Sequence, residues 1–524
     1  MPKKREAVVI GAGPNGLVAA NLLADAGWDV LLLEAQQAVG GAVQSADDVA
    51  DGFVHDTFSS FYPMAAVSPV IKKLRLEQHG LTWRRAPAVL GHPLPDGDWA
   101  LLHGEVEATA QALESVSAPD GPAWRELCAD WQRIGPAITD ALLSPFPPVR
   151  GGLRMLTKLP GVGGLQYLRT LLEPALTLGS ARFTAPHAPL LIAGNAMHSD
   201  IPLSAPGSGM LGLLLTMIGQ HQGFPVPEGG AGKLSAALAS RFEALGGQIR
   251  CGVRVDGVLV DRRAARGVVT SEGERIAARA VIADVSAPAL YGGLVDWADL
   301  PQRTRTAMSR FEIDPATIKV DWALSGPVPW SGPPAVPPGT IHISDSVEQM
   351  GLAQAAITNH RIPAEPFILA GQMSTTDPTR SPPGTEAFWA YTHVPQQATA
   401  DEGPDGLTGR WNPDEIERMA DRMQRRIEDY APDFSSMIIS RRVLGPLELQ
   451  RRNANLINGA LGGGTSSLHQ QLIFRPVPGL GRAETPIRGL FLGSASAHPG
   501  GAVHGACGAN AARAALAAAR LGRI

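Results

Sequence analysis

Two apolar runs, one helix length apart, open the chain. Ala7-Val8-Val9-Ile10 and Leu31-Leu32-Leu33 read as buried parallel strands, with a helix between them. Strand and helix alternate over residues 7–43, and the sequence is loop-rich from there to about Pro95. Helical spacing dominates residues 106–143, where Val106, Ala110 and Leu113, then Trp124, Leu127, Trp131 and Ile134, fall on one face. Residues 144–165 are broken by Pro145, Pro147, Pro148 and Pro160 among the basic Arg150, Arg154 and Lys158. Residues 165–178 and 210–218 follow as apolar helices. The spacing of Leu234, Ala237, Leu238, Phe242 and Leu245 predicts a helix over 233–245, closed by Gly246-Gly247. A strand over 248–255, a hairpin over 258–270 and a buried strand over 280–284 come next. Strands are expected over 317–324 and 367–373, a long charged helix over 413–430, a strand and turn over 488–493, and an Ala-rich helix from near Gly501 to about Leu521.

The first strand runs into Gly11-Ala-Gly13-Pro-Asn-Gly16, and Glu34 closes the second apolar run. Gly11 permits the tight turn, Gly13 admits a pyrophosphate against the backbone, and Gly16 lets the helix pack closely on the sheet. The helix N-terminus offers free N–H groups to the phosphates, and Glu34 is placed to accept the ribose hydroxyls. The strand before, the helix after and the acid in place make this a dinucleotide site. Gly207-Ser-Gly-Met-Leu-Gly212 repeats the spelling without a leading strand or an acid. Gly232-Lys233 lacks the Ser or Thr of a phosphate-binding loop.

Over 524 residues, two sequential or interleaved domains are expected. Hydrophobic residues at 44% and charged residues at 18% fit a globular protein with large buried surfaces. A net charge of −4 and 5% aromatic residues speak against nucleic acid as a partner. Cys128, Cys251 and Cys507 are far apart and form no Cys-x-x-Cys, which argues against a redox dithiol or a thiolate metal site. The histidines show no ligand spacing on an obvious helix, so no metal is expected. Residues 1–6 leave no room for a signal peptide before the first strand, and no long apolar run could span a bilayer. The expected location is the cytoplasm, with a possible peripheral contact to a membrane.

The glycine doublet Gly40-Gly41, soon after Glu34, and the segment Gly52-Phe-Val-His-Asp56 resemble flavoproteins of the glutathione-reductase-like FAD superfamily. The doublet lets the chain pass close to the cofactor with no Cβ in the way. The superfamily usually has Arg directly after the doublet, where this chain has Ala42, so one charge-assisted contact must be replaced. The closing stretch from Thr485 to Gly505, with Gly493-Ser-Ala-Ser-Ala-His498-Pro499-Gly-Gly501-Ala502, looks like the last flavin-binding motif of bacterial-type phytoene desaturases. The stretch from Pro225 to Gly232 and the helix after it are similar to that family's middle motif. The subgroup it most resembles carries the name pyridine nucleotide-disulphide oxidoreductase domain-containing, although this chain has no dithiol.

That resemblance implies an α/β fold: a Rossmann FAD domain from residues 1–85, 220–300 and 440–524, interleaved with a mixed sheet-and-helix substrate domain from 86–219 and 301–439. Gly11, Gly13 and Gly16 would hold the pyrophosphate, Glu34 the ribose, and Gly40 and Gly41 the cofactor path. Val255 would meet adenine through its backbone, with Ala283 and Asp284 at the same end. Gly493, His498, Pro499, Gly501 and Ala502 would surround the isoalloxazine and ribityl portions, the dipole of a helix starting near Gly501 facing the flavin. The implied activity is dehydrogenation, desaturation or isomerisation of an apolar, carotenoid- or lipid-like substrate, with oxygen or a quinone as electron acceptor. His498 and His504 are the candidate bases near the flavin, and His55 and Asp56 lie by the other loop. A flavin amine oxidase and a non-catalytic flavin-bearing scaffold are the alternatives.

Overall fold

The computed structural model describes residues 5–524. Its first sheet has a parallel portion in the order Leu490–Leu492, Arg275–Ala283, Arg5–Ile10, Val30–Leu33, Gln248–Arg250. An antiparallel hairpin, Val255–Asp261 and Ala264–Thr270, extends from the other half of Arg275–Ala283. The central parallel segments, residues 7–10, 30–33 and 280–283, are apolar and buried because helices cover the sheet. Pro14–Asp25, Gly232–Ala244 and Ala506–Arg520 pack on one face around Leu17, Leu23, Leu238 and Phe242. Strands from the start, middle and end of the chain thus form one α/β unit.

The second sheet is mostly antiparallel: Ile438–Leu444, Ala316–Leu324, Glu386–Val394, Ile368–Gln372, Pro338–Ile343, Ala88–Pro93, Trp99–His103. One face packs Ile318, Val320, Trp322 and Phe388 against the helix Pro413–Glu428. On the other, Leu369 and Trp389 meet Leu190 and Ala193 of His187–Ala196. A third core, around Trp124, Leu191 and Met217, joins the helices between residues 106 and 222.

Four elements differ from the sequence expectation. The strand expected over 248–255 ends at Arg250, because Gly252 turns at φ +71° and donates to Gln36 O, so Val255 opens the hairpin instead. Pro174 splits the apolar segment into Leu165–Leu172 and Ala175–Leu178. The proline-broken stretch holds the helix Val149–Lys158. The last helix begins at Ala506, not near Gly501, after Gly505 at φ +68°. Gly212 of the second glycine spelling is a packing residue, since a Cβ there would lie 2.5 Å from Ile192 O.

Candidate functional site

The turn after the first strand is built around Asp284. Gly11, at φ +95°, passes so close that a Cβ would sit 2.7 Å from the Asp284 carbonyl oxygen. A Cβ on Gly13 would lie 2.8 Å from Asp284 Oδ2, and one on Gly16 would lie 2.1 Å from Gly11 O. Gly16 N–H donates to Asp284 Oδ2 at 2.7 Å. Asp284 therefore sits under the phosphate turn rather than at the adenine end where the sequence placed it. Gly16 shapes the turn and spends its N–H there. Glu34 Oε2 accepts Ala12 N–H at 2.7 Å and Oε1 accepts Gln36 N–H at 2.9 Å. Each oxygen keeps a second lone pair for a ribose hydroxyl.

These groups line a cavity of about 620 Å³, within the range of small-molecule and cofactor sites. It runs from Glu34, Arg254 and Val255, past Gly11, Gly13, Asn15 and Asp284, to Ser494–Ser496 and Ala502–Val503. Gly41 also lines it, and its Cβ would stand 2.9 Å from Gly13 Cα. First and last motifs therefore border one cradle. Ala502 borders it at φ +81°, a strained conformation for a residue with a side chain. Arg451 and Arg452 supply cations on the wall by Ala42, and both are paired with Glu448 at 2.7 Å.

Other sequence candidates shape the cradle from behind. Gly40, at φ +127°, donates to Ala12 O at 2.8 Å, and Gly493 donates to Ala283 O at 2.8 Å. Gly501 packs on the loop at Gly462, where a Cβ would be 3.1 Å from Gly462 O. His498, followed by Pro499, donates from Nε2 to Ser144 O at 3.0 Å, and burial lowers its pKa. His504 Nδ1 accepts Ala506 N–H at 3.0 Å at the start of the last helix, while its carbonyl accepts Ser68 Oγ–H. Burial pushes His504 down to about 4. Both histidines are buried and fasten this turn, His498 through Nε2 to Ser144 O and His504 through Nδ1 to the Ala506 N–H.

Asp56 ties the motifs together. Its Oδ1 accepts Ser45 Oγ–H at 2.8 Å and Ala231 N–H at 2.7 Å, and its Oδ2 accepts Arg380 Nη2–H at 2.6 Å. Asp377 Oδ2 accepts Gly229 N–H at 2.7 Å, so two acids hold the middle loop. Lys319 Nζ donates to Asp56 O at 2.9 Å and is paired with Asp321, which also binds Arg442 at 2.8 Å. Burial alone would raise the Asp321 pKa, but Lys319 and Arg442 together bring it below its ordinary value. His55 is buried beside this network, with Nε2 on Trp322 O at 3.1 Å and its pKa lowered by burial. Sequence alone did not single out Lys319, Asp321, Asp377, Arg380 or Arg442, since each partner is remote in sequence or carries no motif. It also missed Arg475, whose buried guanidinium donates to Ala495 O at 2.7 Å, Gly462 O at 2.9 Å and Thr465 O at 2.9 Å, fastening the loop beside the cradle.

The second sheet carries an aromatic wall. Trp389 and Tyr391 stack with centroids 6.0 Å apart, Phe61 lies 6.1 Å from Trp389, and His198 meets His342 at 3.0 Å. Cys128 and Cys507 are buried, and burial pushes both thiols up to about 12.

The family described as NAD(P)-binding Rossmann-like domain matches residues 9–74. A mouse protein named pyridine nucleotide-disulfide oxidoreductase domain-containing protein 2 is 29% identical, covering 97% of this chain and 92% of its own length. A limonene dehydrogenase polypeptide of Castellaniella defragrans is 24% identical, over 98% of this chain and 94% of that protein. Phytoene desaturase of Fusarium fujikuroi is 24% identical, over 95% and 86%. A Methanosarcina mazei oxidoreductase superposes with a TM-score of 0.60 at 15% identity, covering 98% of this chain and 100% of that one. Putrescine oxidase bound to putrescine gives 0.60 at 18%, covering 99% of both chains. The last two show the fold alone. The chain is a homologue of the mouse protein and of the phytoene desaturases over nearly its whole length.

Proposed function

We propose that this desaturase homologue is an FAD-dependent oxidoreductase that dehydrogenates, desaturates or isomerises a largely apolar, carotenoid- or lipid-like substrate, with oxygen or a quinone as the electron acceptor. The convergence of Gly11–Asn15, Glu34 and Ala502–Val503 on one cavity carries this proposal. The residues present fit the group: bare glycine backbone where a pyrophosphate would lie, Glu34 for the ribose, and a long cavity beyond. When bound, FAD supplies the hydride acceptor. Gly13 and Asn15 offer backbone to the phosphates, and Glu34 orients the adenosine half. Asp56 and Asp377 hold the middle loop, and Arg475 fastens the 462–465 loop whose Gly463 lines the cavity. Phe61, Trp389 and Tyr391 form an aromatic cluster on the second sheet.

Purified protein is expected to be yellow and to release FAD on denaturation, and anaerobic apolar substrates are expected to bleach it. Protein that is colourless and does not take up FAD defeats the cofactor assignment. Bleaching by amines alone makes it an amine oxidase, and resistance to carotenoid, lipid and amine panels alike makes it a scaffold.

We also place the protein in the cytoplasm against an anionic membrane surface. Helix Val149–Lys158 exposes Val149, Leu153 and Leu156 at 69%, 62% and 62%, with Arg150, Arg154 and Lys158 among them. Exposed Leu172 and Leu468 flank Gly207: its N–H donates to Leu172 O at 3.0 Å, and a Cβ there would lie 3.8 Å from Leu468 Cδ1. Apolar residues interleaved with cations fit acidic lipid headgroups, while no described helix is long and apolar enough to cross a membrane. Each leucine buried in lipid is worth about 1.5–3 kcal/mol. Leu153→Glu with Leu156→Glu should therefore reduce binding to phosphatidylserine-containing vesicles by about a hundredfold or more. Sedimentation with those vesicles checks this, and unchanged binding removes the patch from consideration.

A further inference from the structure

The helix Pro14–Asp25 presents few free donors to an anion. Pro14 has no N–H, and the Gly16 N–H is already given to Asp284 Oδ2 at 2.7 Å. The positive end of this helix, where the cofactor's pyrophosphate belongs, therefore already faces an acid of the chain itself. Asp284 is 6% exposed, lines the cradle, and lies against all three motif glycines. Among the described residues it makes no ion pair.

Beyond the Gly16 N–H and the helix end, the groups facing it offer no compensating cation. Glu34 stands across the turn, and the buried Cys507 thiol lies behind, with Sγ directed to Ala497 O and Gly500 O. Arg254 and Asp256 border the cavity and pair with each other, while Arg451 and Arg452 are held by Glu448. The nearest polar contact from the 453–456 segment is Asn455 Nδ2 to the Asp284 carbonyl, not to its carboxyl group. A second and a third negative charge cannot be added beside a buried carboxylate without cost.

We propose that Asp284 enters the flavin complex as the neutral acid, so that capture of the cofactor takes up one proton. Protonation removes the like-charge repulsion and turns an acceptor-only group into one that can donate to a phosphate oxygen. The free protein is poised for this, because burial pushes Asp284 up to about 7. Linkage fixes the sign. Below that value the free protein already carries the proton and affinity is flat. Above it, and below the still higher pKa of the complex, each unit of pH weakens binding by up to tenfold. Alkaline conditions thus favour release of the flavin. This inference rests on the cradle being a flavin site.

Full-length apoprotein titrated with FAD, followed by quenching of flavin fluorescence, tests it between pH 6 and 9. Kd is expected to stay level up to about pH 7 and to rise at least tenfold by pH 9. Asp284→Asn should give a pH-independent Kd, tighter than wild type at pH 9, with Asp284→Ala as the second variant should Asn impair folding. Mixing wild type with FAD at pH 8 in weak buffer with an indicator dye should show uptake of about one proton per site. A level wild-type profile, the same slope in the variants, or no proton uptake overturns the proposal while leaving the flavin site standing. Failure to bind FAD at every pH overturns the flavin assignment itself.

Discussion

Gly16→Ala should cost flavin affinity at least a hundredfold, while Gly104→Ala should leave it unchanged. The added Cβ at residue 16 would lie 2.1 Å from Gly11 O and 3.0 Å from Asp284 Oδ2. Backbone and a buried acid receive the clash, so no flexible side chain can yield. The turn must open, which displaces Gly11 and Gly13 from the path a pyrophosphate takes. Overpacking of this kind costs about 1–3 kcal/mol in stability, and loss of the phosphate contacts adds at least about 2.7 kcal/mol in binding, which is the hundredfold. Gly104 has no atom within 4 Å of its Cβ position and no positive φ. The same loss is expected from the far end of the chain: a Cβ on Gly508 would lie 1.9 Å from Asn15 O, so Gly508→Ala drives the last helix off the first. FAD titration and thermal melting of the three variants check this. Wild-type affinity in Gly16→Ala would mean the turn does not hold the phosphates.

What could be read from sequence was local and periodic. The first strand, glycine turn and helix announce themselves because period, turn residue and acid agree within one βαβ unit, and the predicted 413–430 helix appears as Pro413–Glu428. The helix Val149–Lys158 was masked by its proline and glycine neighbours, and its apolar residues face solvent rather than a core. The start of the last helix was misplaced because Gly500 and Gly501 resemble a helix entrance. The chain instead turns again through Ala502 and Gly505, both at positive φ, before the helix begins. Asp284 lies beneath Gly13 and not with the adenine end, since the crossing of two distant strands carries it there. Apart from Asp56, the charge network is not legible in the sequence. Asp56 and Arg380 are 324 residues apart, and nothing in either local sequence names the other.

That pair bears the second large expected effect. Arg380 is fully buried, donating to Val54 O at 3.0 Å and to Asp56 at 2.6 Å, with Nε 3.3 Å from Asp377 Oδ2. The Asp377 contact is an ion pair by distance without the alignment of a hydrogen bond. Burial alone would lower the guanidinium pKa, yet the two acids hold it above its ordinary value. Arg380→Ala leaves both carboxylates buried with no cation, and breaking such an arrangement costs about 3–5 kcal/mol. The loss should extend to the cofactor, because Asp56 positions Ala231 and Asp377 positions Gly229 in the middle loop. Removing the charges together is a different case. Arg380→Met combined with Asp56→Asn leaves only Asp377 uncompensated and should recover a measurable part of the lost stability. Guanidinium unfolding followed by tryptophan fluorescence, alongside flavin retained through gel filtration, compares wild type, Arg380→Ala, the singles Arg380→Met and Asp56→Asn, and their double variant. Should Arg380→Ala unfold at the wild-type midpoint, or the double variant be weaker than the sum of its singles, the network would not be what locks the middle loop onto the first.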